Sequence, residues 1–364
     1  MSLIYGATWT TAEDHQLVNT VGKELLFTQA QAVAERFNAS LQTAMRSFVD
    51  PAPARSHSWR FKLPGTAHLQ RHSDRSGSRP HARHPVGEYD VALPLEDWRY
   101  AVMMNDVDEA HLTVGDLRNS LQGVLTSTSK VVRREIGRAL FNNTPRTFTD
   151  RLWGTLTIEP LANGDSVLYP PTFDSDTEAT ADHYLVSGFT AANISDSNNP
   201  LITLRDKIRP HFGFSSPDGE DIIVYINKAQ AEKIEALADF VPVLDRFVQP
   251  GADAATLIGT PDISGRILGR SNGVWVAEFS EFIPANYMVA VHLFEDRPLR
   301  RRVDLEGTGL GDGDLQLIAE EENNPFKSMF WRIRFGLGVV NRLNGAVMEL
   351  TTDTQYDVPA IYQR

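Results

Sequence analysis

The chain has 364 residues, 41% of them hydrophobic and 23% charged, with a formal net charge of −12 and no cysteine. That length suggests two or three domain-sized units with enough core to fold without staples, and the lack of cysteine excludes disulfides, thiolate metal sites and thiol nucleophiles. The acidic balance argues against a dedicated nucleic-acid binder; the first residues lack the basic start and apolar run of a signal peptide, and no apolar stretch is long enough to span a bilayer, so a cytoplasmic protein with no membrane partner is the expectation.

Thr10, Thr11 and Glu13 read as a helix start. The stripe from Leu17 through Leu25, Val33, Phe37, Leu41 and Met45 to Phe48 continues that helix until Pro51 and Pro53 forbid it. A basic arm follows from Arg55 to His84. It carries Arg55, Arg60, Lys62, Arg71, Arg75, Arg79 and Arg83 against the single acid Asp74, a formal charge of +6 that leaves −18 on the rest of the chain. Two strands, SHSWRFKLPG and EYDVALPLEDWRYAVMM, flank the tip HSDRSGSRPHARHPVG, so the segment reads as a long hairpin. A positive ribbon on a negative body seeks a negative surface: nucleic acid, lipid, or the body of another copy. Bare strand edges on a protruding hairpin favour the last, with ordinary surface charge as the plain alternative.

From Val114 the pattern turns helical for about 28 residues, roughly 40 Å at 1.5 Å per residue, and stops near Asn142, Asn143 and Pro145. Leu117, Leu121, Val124, Val132, Ile136 and Leu140 form its apolar stripe. Strands are expected at Gly154–Leu161 and Ser166–Tyr169 around an Asn163-Gly164 turn, then a helix over Pro200–His211 and a doubly buried strand over Asp221–Ile226. Asn227 caps a helix from Lys228 to Phe240. Beyond Gly259 the chain is β-rich, with turns at Asn272-Gly273, Ile283–Asn286 and Asn344-Gly345. In the last block Trp331, Ile333 and Phe335 share one side and Arg332 and Arg334 the other.

No motif for chemistry stands up. His57, His68, His72, His81 and His84 suggest metal, yet glycines and prolines interrupt them and Asp74 is the one nearby acid, so a solvated or interface-facing tip is the simpler reading. Gly307, Gly309, Gly311 and Gly313 sit among Asp304, Asp312 and Asp314, which would repel a phosphate; they read as a β connection. Gly213-Phe214-Ser215-Ser216-Pro217 lacks the second glycine of a nucleophile elbow. Glu320, Glu321 and Glu322 read as a solvated run.

The pieces in this order, with GTPDISGRILGRSNGVWVAEFSEFIPANYMVAV and WRIRFGLGVVNRLNGAVMEL as the most characteristic wording, resemble the major capsid protein of tailed bacteriophages, the Hong Kong 97-like fold. The likeness extends from Ser56 to Leu350 and is one of architecture. It implies an α+β chain in five segments. These are an N-terminal arm with an amphipathic helix (1–54), an extended E-loop hairpin (55–113), a spine helix opening a peripheral domain (114–173), an axial α/β domain (174–296), and a return to the peripheral domain (297–364). A subset of that family joins an E-loop lysine to a peripheral asparagine with help from a glutamate; Lys62 with Asn341 or Asn344 and Glu349 are the residues here, at a spacing that does not match.

The resemblance implies a structural protein with no enzymatic activity, cofactor, metal or catalytic residue. Copies would assemble in a host cytoplasm as hexamers and pentamers of an icosahedral virion capsid around double-stranded DNA, without sequence-specific binding. Portal, scaffolding and decoration proteins are further expected partners. Arg55, Trp59, Arg60, Phe61, Lys62, Arg71, Arg75, Arg79, Arg83 and Trp98 are the expected inter-subunit contacts. Two alternatives stay open: an encapsulin-type nanocompartment shell, and a metal-dependent hydrolase built on the histidines.

Overall fold

The computed structural model describes residues 23–62, 88–105, 113–173, 175, 177–212, 221–243, 265–323 and 326–363. In chain order the strands are β1 (Val49–Ala54), β2 (Ser58–Lys62), β3 (Glu88–Ala92), β4 (Glu96–Asn105), β5 (Arg146–Asp150), β6 (Gly154–Ile158), β7 (Tyr184–Val186), β8 (Ile222–Ile226), β9 (Val241–Pro242), β10 (Arg266–Ser271), β11 (Val274–Glu278), β12 (Tyr287–His292), β13 (Leu299–Arg302), β14 (Gln316–Asn323), β15 (Phe326–Val339) and β16 (Ala346–Glu349). Helices cover Lys23–Met45, Val114–Phe141, Pro200–Phe212 and Lys228–Glu235. The chain divides into two compact units. One takes Leu95–Val132, Val303–Phe335 and the described part of Met1–Thr43; the other takes Ala44–Pro94, Arg133–Arg302 and Gly336–Arg364.

In the first unit, β15 runs between β4 and β14, antiparallel to both. Alternation buries Trp331, Ile333 and Phe335 as expected. Arg332 on the other face is also buried, with its guanidinium donating to the Leu310 carbonyl at 3.2 Å. Arg334 pairs with Asp304 at 2.6 Å. The glycine-rich connection before β14 has four glycines at positive φ, from 68° to 83°, a conformation that other residues adopt only with strain. Asn38 of the N-terminal helix fastens its end: the amide donates to the Leu315 carbonyl (3.1 Å) and accepts from the Leu315 N–H (3.0 Å). The long helix starts on a reciprocal cap, with Asp116 N–H donating to the Thr113 hydroxyl (3.1 Å) while the Asp116 carboxylate accepts from Thr113 N–H (3.2 Å).

The second unit is built on a seven-stranded mixed sheet in the order β7-β16-β12-β8-β11-β10-β9. All five residues of β8 are buried, which explains its unbroken apolar run. Ile222, Val224 and Ile226 face a core completed by Leu201, Leu204 and Ile208 of the Pro200–Phe212 helix. On the opposite face Tyr225 meets Phe48 and Phe279, with ring centroids 4.7 and 6.1 Å away. Asn227 caps the next helix in a full capping box with Gln230, though that helix ends at Glu235, short of the expected Phe240. The Asn272-Gly273 turn joins β10 to β11 with both residues at positive φ.

Several expectations are corrected. The expected strand over Glu88–Met104 is two strands, because Pro94, lacking an N–H, interrupts it between β3 and β4. β6 pairs with β5, a strand missed in the sequence, and residues 166–169 make only an isolated bridge from Tyr169 to Ala179. The last strand, β16, leaves the sheet expected for it: it lies antiparallel to β12 and parallel to β7 inside the seven-stranded sheet. The N-terminal helix is described from Lys23 onward.

Candidate inter-subunit surface

The root of the basic arm is the β2–β3 ladder, in which Trp59 faces Val91, Arg60 faces Asp90 and Phe61 faces Tyr89. One turn of chain further on, the Leu93 N–H donates to the His57 carbonyl at 2.8 Å and closes the base. Arg60 grips Asp90 with two bonds of 2.9 and 3.1 Å, both side chains more than half exposed. The Arg60 hydrogen bonds hold the Asp90 carboxyl below its usual range. Exposed as it is, that pair fixes geometry more than it adds stability.

The root is anchored from below by two arginines of β13. Arg300 lies over the Trp59 ring, 3.9 Å from its centroid, and pairs with Asp50 at 2.6 Å. Arg302 is buried; it donates to the Leu93 carbonyl at 2.7 Å and pairs with Asp150 at 2.8 Å. Burial would raise the Asp150 carboxyl, but the Leu152 N–H and the Arg302 guanidinium outweigh it and hold the group low.

Tyr89 adds a third anchor. Its hydroxyl donates to the Val340 carbonyl (2.8 Å) and accepts from the Arg342 N–H (3.1 Å). Burial pushes the phenol up to about 12. Arg342 itself is fully buried. Its guanidinium donates to the Pro160 carbonyl at 2.8 Å and pairs with Asp165 at 2.6 Å. Neither Tyr89 nor Arg342 stood out in the sequence; a tyrosine in the strand just after the basic arm and an arginine inside an apolar block were the available signals.

The expected contact residues are therefore separated. Trp59 and Arg60 sit together at the root, with Arg55 half-buried just before it. Phe61 and Lys62 continue the same strand. Arg71, Arg75, Arg79 and Arg83 lie outside the described residues, as do His68, His72, His81 and His84. Trp98 is corrected: it belongs to β4, opposite Ile333 of β15 in the other unit, and is no part of the hairpin. The asparagines considered for a cross-link are structural. Asn341 donates to the Asp296 carbonyl (3.1 Å), while Asn344, wholly buried, bonds the His292 N–H, the His292 carbonyl and the Asp296 carbonyl. Glu349 accepts from the Tyr287 hydroxyl and the Asp357 N–H. Among the described residues no group of three or more histidines and acids converges on a metal-sized site, and no helix is long and apolar enough to cross a membrane.

No family model matches the chain, and no curated protein is similar to it in sequence. Solved structures are similar. One from Mycobacterium phage Patience shares 21% identity with a TM-score of 0.68, over 100% of this chain and 98% of that one. The capsid of cyanophage P-SCSP1u aligns over 83% of this chain and 85% of its own, at 13% identity and a TM-score of 0.47. The holo-SrpI encapsulin complex of Synechococcus elongatus aligns at 11% identity and a TM-score of 0.43, over 87% and 89%. The chain shares the fold of the phage Patience protein over its whole length.

Proposed function

We propose that this chain is the major capsid protein of a tailed phage, assembling as hexamers and pentamers into an icosahedral shell around double-stranded DNA. The observation that carries the reading is the end-to-end correspondence with the phage Patience structure. The arm root supports it. Arg300, Arg302 and Tyr89 hold the β2–β3 ladder from which the basic segment departs. Its positive charge suits the −18 carried by the rest of a sibling. Interfaces that are each weak suffice once symmetry repeats them.

Negative-stain microscopy of the full-length protein tests this. Closed, regular shells are the expected result, with long DNA inside particles recovered from infected cells. A stable monomer or small discrete oligomer at high concentration would refute the reading, and shells packed with a folded enzyme would replace it with a nanocompartment.

A further inference from the structure

The β5–β6 hairpin has a face that its own chain does not use. Cross-strand pairs Thr147–Thr157 and Thr149–Thr155 are all exposed, while Phe148, Leu156 and Ile158 turn inward. At the tip Leu152 is 71% exposed and Trp153 55%. Exposed apolar turns are usually loose, but this one is held: the Asp150 carboxylate accepts from both Leu152 N–H (2.8 Å) and Trp153 N–H (3.1 Å) and is itself pinned by buried Arg302. Arg151 is the hairpin's one exposed charge.

A rigid, nearly uncharged, β-branched and aromatic face is unusual on a chain that is 23% charged. Depletion of charge with retention of aromatics is the signature of an interface centre. The chain itself points to the occupant. Away from the basic arm the chain carries −18, so bodies of two copies repel where their charged surfaces meet, and an uncharged face is where they approach at least cost. The face is also continuous with the arm root: the Trp153 ring stacks on His57 at 4.1 Å and 17°, two residues before Trp59. We infer that the exposed face of the β5–β6 hairpin is a docking surface for a second copy of this chain. This rests on the shell reading.

The test uses the full-length Leu152→Glu/Thr155→Glu variant. Because both positions are exposed, the subunit should keep the wild-type Tm while the yield of closed shells, counted by microscopy and sedimentation, falls at least tenfold. Wild-type yield would overturn the inference. A second measurement covers the case of a misfolded variant. The chain has no cysteine, so Thr155→Cys introduces its sole thiol. Iodoacetamide should alkylate it at least tenfold more slowly in assembled shells than in dissociated subunits, and equal rates would again overturn the inference. If the wild-type protein forms no shells at all, it is the shell reading that fails.

Discussion

Arg342 shows how one residue can organise a region. Its guanidinium meets the Pro160 and Leu161 carbonyls and the Asn163 and Asp165 side chains, and its backbone N–H meets Tyr89. An arginine without those acceptors would be an uncompensated buried charge; with them it ties the arm root to the chain around Asp165. Arg342→Met strands the carbonyls and the carboxylate, and should cost about 3 kcal/mol in denaturant titrations; Arg342→Lys, which cannot fork to several acceptors, should recover little of it. His183 makes a separate prediction. Its Nδ1 lies 2.6 Å from the Gly345 carbonyl and so must donate, which leaves Nε2 to accept from His211 Nε2–H at 3.3 Å. Burial, reinforced by the neighbouring His211 ring, lowers the imidazole to about 3. The unfolded chain therefore binds a proton there from about pH 6.5 downward that the folded chain refuses. His183's contribution is complete above that pH and shrinks as pH falls toward 3, by about 2 kcal/mol at pH 5. His183→Asn keeps a donor for Gly345 but does not titrate, so the stability difference between pH 7.5 and pH 5 should shrink by that amount, as measured by urea unfolding.

At the scale of elements, the end of the long helix is closed by aromatic hydroxyls. Tyr184 donates to the Leu140 and Asn142 carbonyls and Tyr356 to the Phe141 carbonyl, satisfying groups that a helix C-terminus leaves open. Tyr362 completes the arrangement, stacking on Phe141 with centroids 5.3 Å apart and donating to the Phe282 carbonyl. Gly137 makes room for it: a Cβ there would fall 2.1 Å from the Tyr362 ring. Gly137→Ala, though a better helix former, should expel the ring and release the C-terminal segment, and carboxypeptidase should then trim residues after Asp357 that resist in the wild type. Tyr362→Ala should give the same trimming. This tail was not legible beforehand, because its partners lie 80 to more than 200 positions away. The long helix was legible almost to the residue, since its stripe and its Asn-Pro stop are local signals. β5 was missed because Thr147 and Thr149 alternate with a single large apolar residue, Phe148. β16 was recognised as a strand but placed with the peripheral strands before it, since the choice between sheets is made by pairing with β7 and β12.

For the whole molecule, charge separation is the property that composition displays and that the proposed shell would put to use. The arm's formal +6 stands beside −18 on the remainder, and the arm's root is fixed by pairs within the chain, Arg60 with Asp90 and Arg300 with Asp50. The α+β class was legible from element order, but long-range pairing was not: Trp98 was assigned to the arm by sequence proximity, and its strand pairs with β15 instead. The two sources of association then respond differently to salt. Attraction between a basic arm and an acidic sibling, as proposed, weakens as the Debye length shrinks from about 10 Å at 0.1 M to about 3 Å at 1 M. Burial of Leu152 and Trp153 against a neighbour, as inferred above, would not weaken with it, because apolar association is insensitive to screening. Raising sodium chloride from 0.05 to 0.5 M should therefore slow the light-scattering rise of assembly at least severalfold, while shells already closed persist. Deleting residues 71–84 removes Arg71, Arg75, Arg79 and Arg83 but leaves the β2–β3 ladder and its anchors intact. That variant should stay folded, with a Tm within a few degrees of wild type, and its slower association should no longer depend on salt. Equal salt dependence with and without the tip would place the electrostatic attraction elsewhere on the subunit.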